Sequence, residues 1–182
     1  MNLWFRLLMH TLWRRRADLS PWDTAVTPFR VVPTDLDVLG HMNNGRFATL
    51  MDLGRADLMR RSGMARRARA LGWYAVVAGQ TLTYRRSLTL GQSFELSTRV
   101  LGVDDDWFYM DQRFTCGDAL VAHGIVRARF LKRRGGSVRI DELETLLGEI
   151  PGTLQVPDWV REWTSLTRLP YDADLPIKED GR

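Results

Sequence analysis

The stretch from residue 73 to residue 133 leaves the chain little choice of fold. It divides into five strand-like segments, 73–78, 81–90, 93–103, 107–116 and 119–133, whose later junctions are only Gly91-Gln92, Asp104-Asp105-Asp106 and Gly117-Asp118. Strand side chains alternate between two faces, so in the last segment Ala122, Gly124, Val126, Ala128 and Phe130 share one face. His123, Arg127 and Arg129 share the other. Connections this short join antiparallel neighbours, because a parallel pair needs a long crossover. The spacing therefore predicts an antiparallel meander.

Upstream, residues 24–32 are predicted to form a further strand with Ala25, Thr27, Phe29 and Val31 on one face. Pro28 cannot donate to a ladder, which places this strand at a sheet edge, and Pro33 closes it. Between this strand and the meander, residues 46–62 carry Phe47, Leu50, Met51, Gly54, Leu58 and Met59 near the spacing of one helix face, with Gly63 as the stop. Asp141 starts a short helix that runs to Leu147 and ends at Gly148. One long helix between a first strand and an antiparallel meander is an α+β plan. Ala122, Gly124 and Ala128 are small enough to let that helix approach the sheet.

The chain has 182 residues, 45% hydrophobic and 26% charged, which fits one globular domain and excludes a disordered chain. A single cysteine, Cys116, excludes an internal disulfide and a multi-cysteine metal site, and fits a reducing compartment. The formal net charge of +4 is unevenly spread: residues 1–70 carry 12 basic and 6 acidic groups, residues 141–182 carry 4 and 10. The arginines are scattered over several elements and no recognition motif accompanies them, which disfavours nucleic-acid binding. The expected organisation is an N-terminal amphipathic, basic segment (1–22), one domain (23–150) and a C-terminal extension (151–182) ending in an irregular tail.

The apolar run over residues 3–13, closed by Arg14-Arg15-Arg16, is too short to span a bilayer. It lacks the leading positive charge of a signal peptide. Asn2, Arg6, His10 and Arg14 fall on one stripe of a helix, with Leu, Trp and Phe around the rest. Such a helix docks on the protein's own surface or across a dimer, or lies in a membrane interface. The expected location is the cytoplasm, with peripheral membrane contact through this segment as the alternative.

Chemistry concentrates in residues 34–45, just before the long helix, where Asp35, Asp37, Gly40, His41, Asn43, Asn44 and Gly45 stand together. A helix N-terminus presents unpaired backbone N–H groups and favours negative charge. A carboxylate beside such donors is the pairing acyl transfer needs: a group that attacks or activates water, and donors waiting for the oxyanion.

The pattern Asp-x-x-Gly-His-Met-Asn-Asn, from Asp37 to Asn44, leading into a helix and then a meander, resembles the 4-hydroxybenzoyl-CoA thioesterase-like branch of the hotdog-fold superfamily. The resemblance covers roughly residues 24–132. It implies a curved antiparallel sheet wrapped around the central long helix, and a homodimer or homotetramer with its active site at the dimer interface. The acyl group is expected in a tunnel beside the helix, and the CoA nucleotide near the surface. Asp37 matches the carboxylate that attacks the thioester or activates water, and the backbone N–H near Asn44 matches the group that polarises the carbonyl. Gly40 and His41 match the preceding turn, with His41 either supporting the loop or acting as an acid–base group. Asp52, about two turns into the helix, is the second candidate acid. Asn43 is an N-cap or a substrate contact, Phe47 with Trp73 and Tyr84 shapes the tunnel, and Arg85 and Arg86 suit CoA phosphates. Arg127, Arg129, Lys132, Arg133 and Arg134 either do the same or form a solvated strand face, and Asp35 is a structural turn residue.

The expected activity is hydrolysis of an acyl thioester of CoA or acyl-carrier protein. The sequence contains no Gly-rich phosphate loop, metal-ligand cluster or Gly-x-Ser-x-Gly motif, so no metal or nucleotide cofactor is expected. A non-catalytic acyl-CoA or lipid-binding protein is the alternative. A 3-hydroxyacyl thioester dehydratase ranks lower, because the His-x-x-x-x-Pro-Gly pattern such enzymes resemble is missing.

Overall fold

Tight turns decide the middle of the sheet. The computed structural model of the protein describes residues 18–104 and 107–168. Its strands are β1 (Ala25–Arg30), β2 (Trp73–Tyr84), β3 (Ser93–Val103), β4 (Phe108–Cys116) and β5 (Ala119–Lys132). Its helices are α1 (Asn44–Arg61), α2 (Met64–Ala70), α3 (Ile140–Leu147) and α4 (Asp158–Leu166). The strands form one antiparallel sheet in the order β1-β3-β4-β5-β2. β1 is an edge strand, as Pro28 requires, with Pro28 opposite Glu95.

At the other edge, the two segments read from the sequence at 73–78 and 81–90 are one strand, β2. A register shift between Val77 and Gly79 absorbs the irregularity that resembled a break. The strand stops at Tyr84, and the following residues leave the sheet with the Arg85 and Arg86 N–H groups both on the Val121 carbonyl (2.8 and 3.1 Å).

α1 packs on the inner face. Phe47, Leu50, Met51, Leu53 and Leu58 join Phe94, Leu96, Phe114, Ala122 and Val126 in the main core. The expected close approach is present at Gly124, where an added Cβ would lie 2.6 Å from the Met51 Cε. The helix reciprocates at Gly54, where a Cβ would lie 2.6 Å from Thr98 Oγ1 and 2.7 Å from Leu96 Cδ2. Buried polar groups between the layers are matched. Gln112 Nε2 donates to the Met51 carbonyl (3.0 Å) and to Thr98 Oγ1 (2.9 Å), while Arg55 Nη1 donates to Gln112 Oε1 (2.7 Å).

Two helices, α2 and α4, have no counterpart in the sequence reading. Gly63 ends α1 as expected, and its φ of +71° turns the chain at once into α2. α4 covers part of the sheet's outer face, where Val156 and Val160 pack on Tyr109 and Ile125. The segment after residue 150 is therefore built into the domain at least to α4. Arg127, read as a phosphate contact or part of a solvated face, is only 5% exposed. Its guanidinium lies between the rings of Trp107 and Trp163, 4.9 and 5.2 Å from their centroids.

The helical stripe expected over residues 2–14 and the tail from residue 169 lie outside the described residues. Among the described residues no helix is long and apolar enough to cross a membrane.

Candidate active site

The loop before α1 is held by its own short-range hydrogen bonds. Leu36 and Met42 bridge its base, and the Asp37 N–H donates to the His41 carbonyl (2.8 Å). Gly40, at φ +76°, closes the turn with its N–H on the Asp37 carbonyl (3.1 Å). That left-handed conformation suits a residue without a Cβ. One oxygen of Asp37, Oδ1, accepts the Leu39 and His41 N–H groups (2.9 and 3.2 Å). The other, Oδ2, has no partner among the described residues. Asp37 is thus a half-buried carboxylate held by one oxygen and open at the other.

Asp35, two residues earlier, faces the interior. Fully buried, it accepts the Val32 N–H (3.1 Å) and ion-pairs with Arg46 (3.0 Å), while its carbonyl accepts the Asn43 N–H (2.8 Å). It is the structural turn residue expected from the sequence.

At the helix entrance Asn43 is the N-cap, its Oδ1 accepting the Gly45 N–H (2.8 Å) and its carbonyl the Arg46 N–H (2.9 Å). The Asn44 N–H has no partner among the described residues, so a donor stays open at the positive end of the helix. The Asn44 carbonyl accepts a hydrogen bond from the Tyr84 hydroxyl (3.1 Å). Partial burial pushes the Tyr84 phenol above its ordinary pKa, so it remains a donor. The Tyr84 ring stands edge-on to Phe47, 5.2 Å between centroids, and Phe47 in turn meets Phe114 at 5.0 Å. Phe47 is 2% exposed and belongs to the core, forming the wall behind Tyr84. Arg85 and Arg86 follow directly and are exposed, which puts two cations next in the chain to the residue that touches the helix entrance. His41 is half-buried and bridged to Thr89 through its backbone. Its imidazole makes no hydrogen bond among the described residues.

Asp52 stands elsewhere. It pairs with Arg55 on α1, and both border two adjoining spaces between the helix and β2. One is an open groove of about 400 Å³ lined by Ala48, Thr49 and the backbone turn of β2 around Gly79. The other is an apolar cavity of about 230 Å³ bounded by Met59, Met64, Met110, Ala128 and Phe130. Burial pushes the Arg55 guanidinium down from its ordinary pKa, and the Asp52 carboxylate opposes that shift. The sequence reading assigned Arg55 and Tyr84 no polar role here. The Asp52-x-x-Arg55 spacing on one helix face is the signal that points to the first; nothing local points to the second. Among the described residues no group of three His, Cys, Asp or Glu side chains is placed to hold a metal ion.

Comparison with known proteins bears on the family and the fold. Protein THEM6 of Xenopus laevis is 48% identical over 84 residues, which are 46% of this chain and 41% of that protein. The chain therefore matches less than half the length of that relative. Protein THEM6 of Drosophila melanogaster is 25% identical over 155 residues, 85% of this chain and 76% of that one. Among solved structures, the probable thioesterase YbaW of Escherichia coli superposes with a TM-score of 0.62 at 19% identity, covering 67% of this chain and 98% of that one. This likeness bears on the fold alone, and the fold is the hotdog that the motif implied. The profile of the thioesterase-like superfamily matches residues 31–164, which include the loop, the helix α1, strands β2 to β5 and most of α4. The chain belongs to the thioesterase-like superfamily.

Proposed function

We propose that the protein hydrolyses acyl-CoA thioesters, with Asp37 as base or nucleophile. The observation that carries this reading is the asymmetry of Asp37: one carboxylate oxygen is committed to the turn and the other is open, in the same loop as the open Asn44 N–H. In the reaction, the Asn44 N–H polarises the thioester carbonyl while Asp37 either attacks the carbonyl carbon or takes a proton from water. The C–S bond breaks, the CoA thiolate takes up a proton, and water supplies the oxygen and hydrogens of the acid and thiol that leave. Arg85 and Arg86 suit the CoA phosphates as planar guanidinium forks. Asn43 and Gly40 keep the loop in register, and His41 supports it.

A homodimer fits β2, whose outer edge pairs with no strand among the described residues and which carries Tyr74, Val77 and Tyr84 at 46%, 47% and 41% exposure. The lone thiol of Cys116 suits the reducing cytoplasm.

A second reading, a non-catalytic acyl-CoA carrier, is favoured by the two backbone hydrogen bonds to Asp37 Oδ1, which suffice to explain the residue as a turn brace. Thiol release from short, long and aromatic acyl-CoAs by wild type and Asp37→Asn separates the two. Asn keeps the acceptor that braces the turn, so the variant folds, and kcat is expected to fall by about 10²–10⁴-fold. A folded variant with wild-type turnover would sink the assignment of Asp37. Binding of acyl-CoA without turnover in the wild type establishes the carrier.

A further inference from the structure

We propose that the end of the molecule formed by the α1–α2 elbow and the turn after β5 docks on an anionic lipid bilayer. This inference stands apart from the thioesterase reading. α2 buries Met64 and Ala68 and exposes Arg66 and Arg69, which stand one turn apart. Leu71 follows at 51% exposure. The carbonyl of the next residue, Gly72, accepts the Arg133 N–H (2.9 Å), which brings the exposed Arg133 and Arg134 beside that leucine.

The neighbouring cations are occupied: Arg60 and Arg61 by Asp57, Lys132 by Glu142, and Arg139 by Asp141. Arg66, Arg69, Arg133 and Arg134 have no ion pair among the described residues. Four uncommitted guanidinium groups around an exposed leucine match lipid phosphates, with the apolar side chain at the headgroup boundary.

The course of the chain adds a second, independent argument. The Leu19 N–H donates to the Arg61 carbonyl (3.2 Å), so the described chain starts against this elbow. The residues before it carry Trp4, Phe5, Leu7, Leu8, Leu12 and Trp13, and then Arg14-Arg15-Arg16. Aromatic and aliphatic side chains followed by three arginines are what an interfacial segment on anionic lipid needs. The helix entrance at Asn44 lies at the far end of the 18-residue α1, about 26 Å along its axis, so docking here leaves that entrance clear of the bilayer.

The full chain is sedimented with phosphatidylcholine vesicles, with and without one quarter phosphatidylglycerol. Binding is expected only with phosphatidylglycerol and is expected to be lost at high salt. The quadruple variant Arg66→Glu, Arg69→Glu, Arg133→Glu, Arg134→Glu is expected to lose at least tenfold in partition, with its thermal melt and its far-ultraviolet circular dichroism unchanged. Leu71→Ser, a milder change, is expected to lose several-fold. Equal binding to both vesicles, no binding to either, or wild-type partition by a folded quadruple variant overturns the proposal. So does preference for an RNA oligonucleotide over the vesicles.

Discussion

Asp35 and Asp37 stand two residues apart and face opposite environments. Removing Asp35 leaves the half-buried Val32 N–H without its acceptor and Arg46 without its partner. Asp35→Ala is expected to cost about 2–3 kcal/mol in a urea titration, the order of a half-buried donor left unpaired plus a lost charged hydrogen bond. Asp37→Asn is expected to leave the unfolding free energy from a urea titration within about 1 kcal/mol of wild type while it lowers turnover. The turn itself was legible in the sequence because the loop is local: the partners of Asp37 lie two and four residues away. Tyr84 was legible only as an apolar wall, since its hydroxyl reaches a carbonyl 40 residues distant. The Arg55–Gln112 bond, across 57 residues, has no local signature at all.

Elements differ in legibility for the same reason. β3 has the boundaries its alternation predicts, because a turn closes each end of the segment. β2 was split because a glycine in a strand resembles a turn; in the sheet Gly79 pairs with Arg127 and the extra residue, Ala78, is taken up in a bulge beside it. α4 buries only Val160 of its nine residues, too thin an apolar stripe to announce a helix without the sheet that receives it. Gly54 reads as a weak point in α1, yet it is the place where the helix meets the sheet most closely. Alanine there gains up to about 1 kcal/mol of helix propensity. It also forces a methyl group against Thr98 and Leu96, at a cost of about 1–3 kcal/mol. Gly54→Ala is therefore expected to lower the melting temperature, whereas an unchanged or higher value would show that the layers separate freely.

Across the whole molecule, acid stability rests on the outer face of the sheet. Burial of Asp111 opposes its ionisation, but hydrogen bonds from Arg99, Arg113 and His123 and the charge of Arg113 outweigh it and hold the carboxyl below its ordinary range. In the unfolded chain an aspartate titrates near ~3.9. The stabilisation is thus complete above that value and is lost as pH falls through the lower native one. The urea midpoint is expected to hold from neutrality to about pH 5 and to drop at lower pH. Asp111→Asn is expected to be less stable at neutrality and to show a shallower acid drop; an identical acid limb would exclude Asp111 as its source.

The strand order also governs the sequence of events during folding. β3, β4 and β5 follow one another through short turns and pair with their nearest neighbours in the chain. β1 must find β3 across the whole of α1 and β2, with Ala25 opposite Thr98, and β2 must reach past the meander to place Trp73 opposite Lys132. Closing such long loops is entropically slow, so the meander is expected to form first and both edges late. The loop that carries Asp37 leaves one late edge, rests on Leu88 and Thr89 beyond the other, and touches Tyr84 at the end of β2. The candidate site is therefore the last part of the molecule to come into being: a chain arrested with only its meander formed would have most of a sheet and no site.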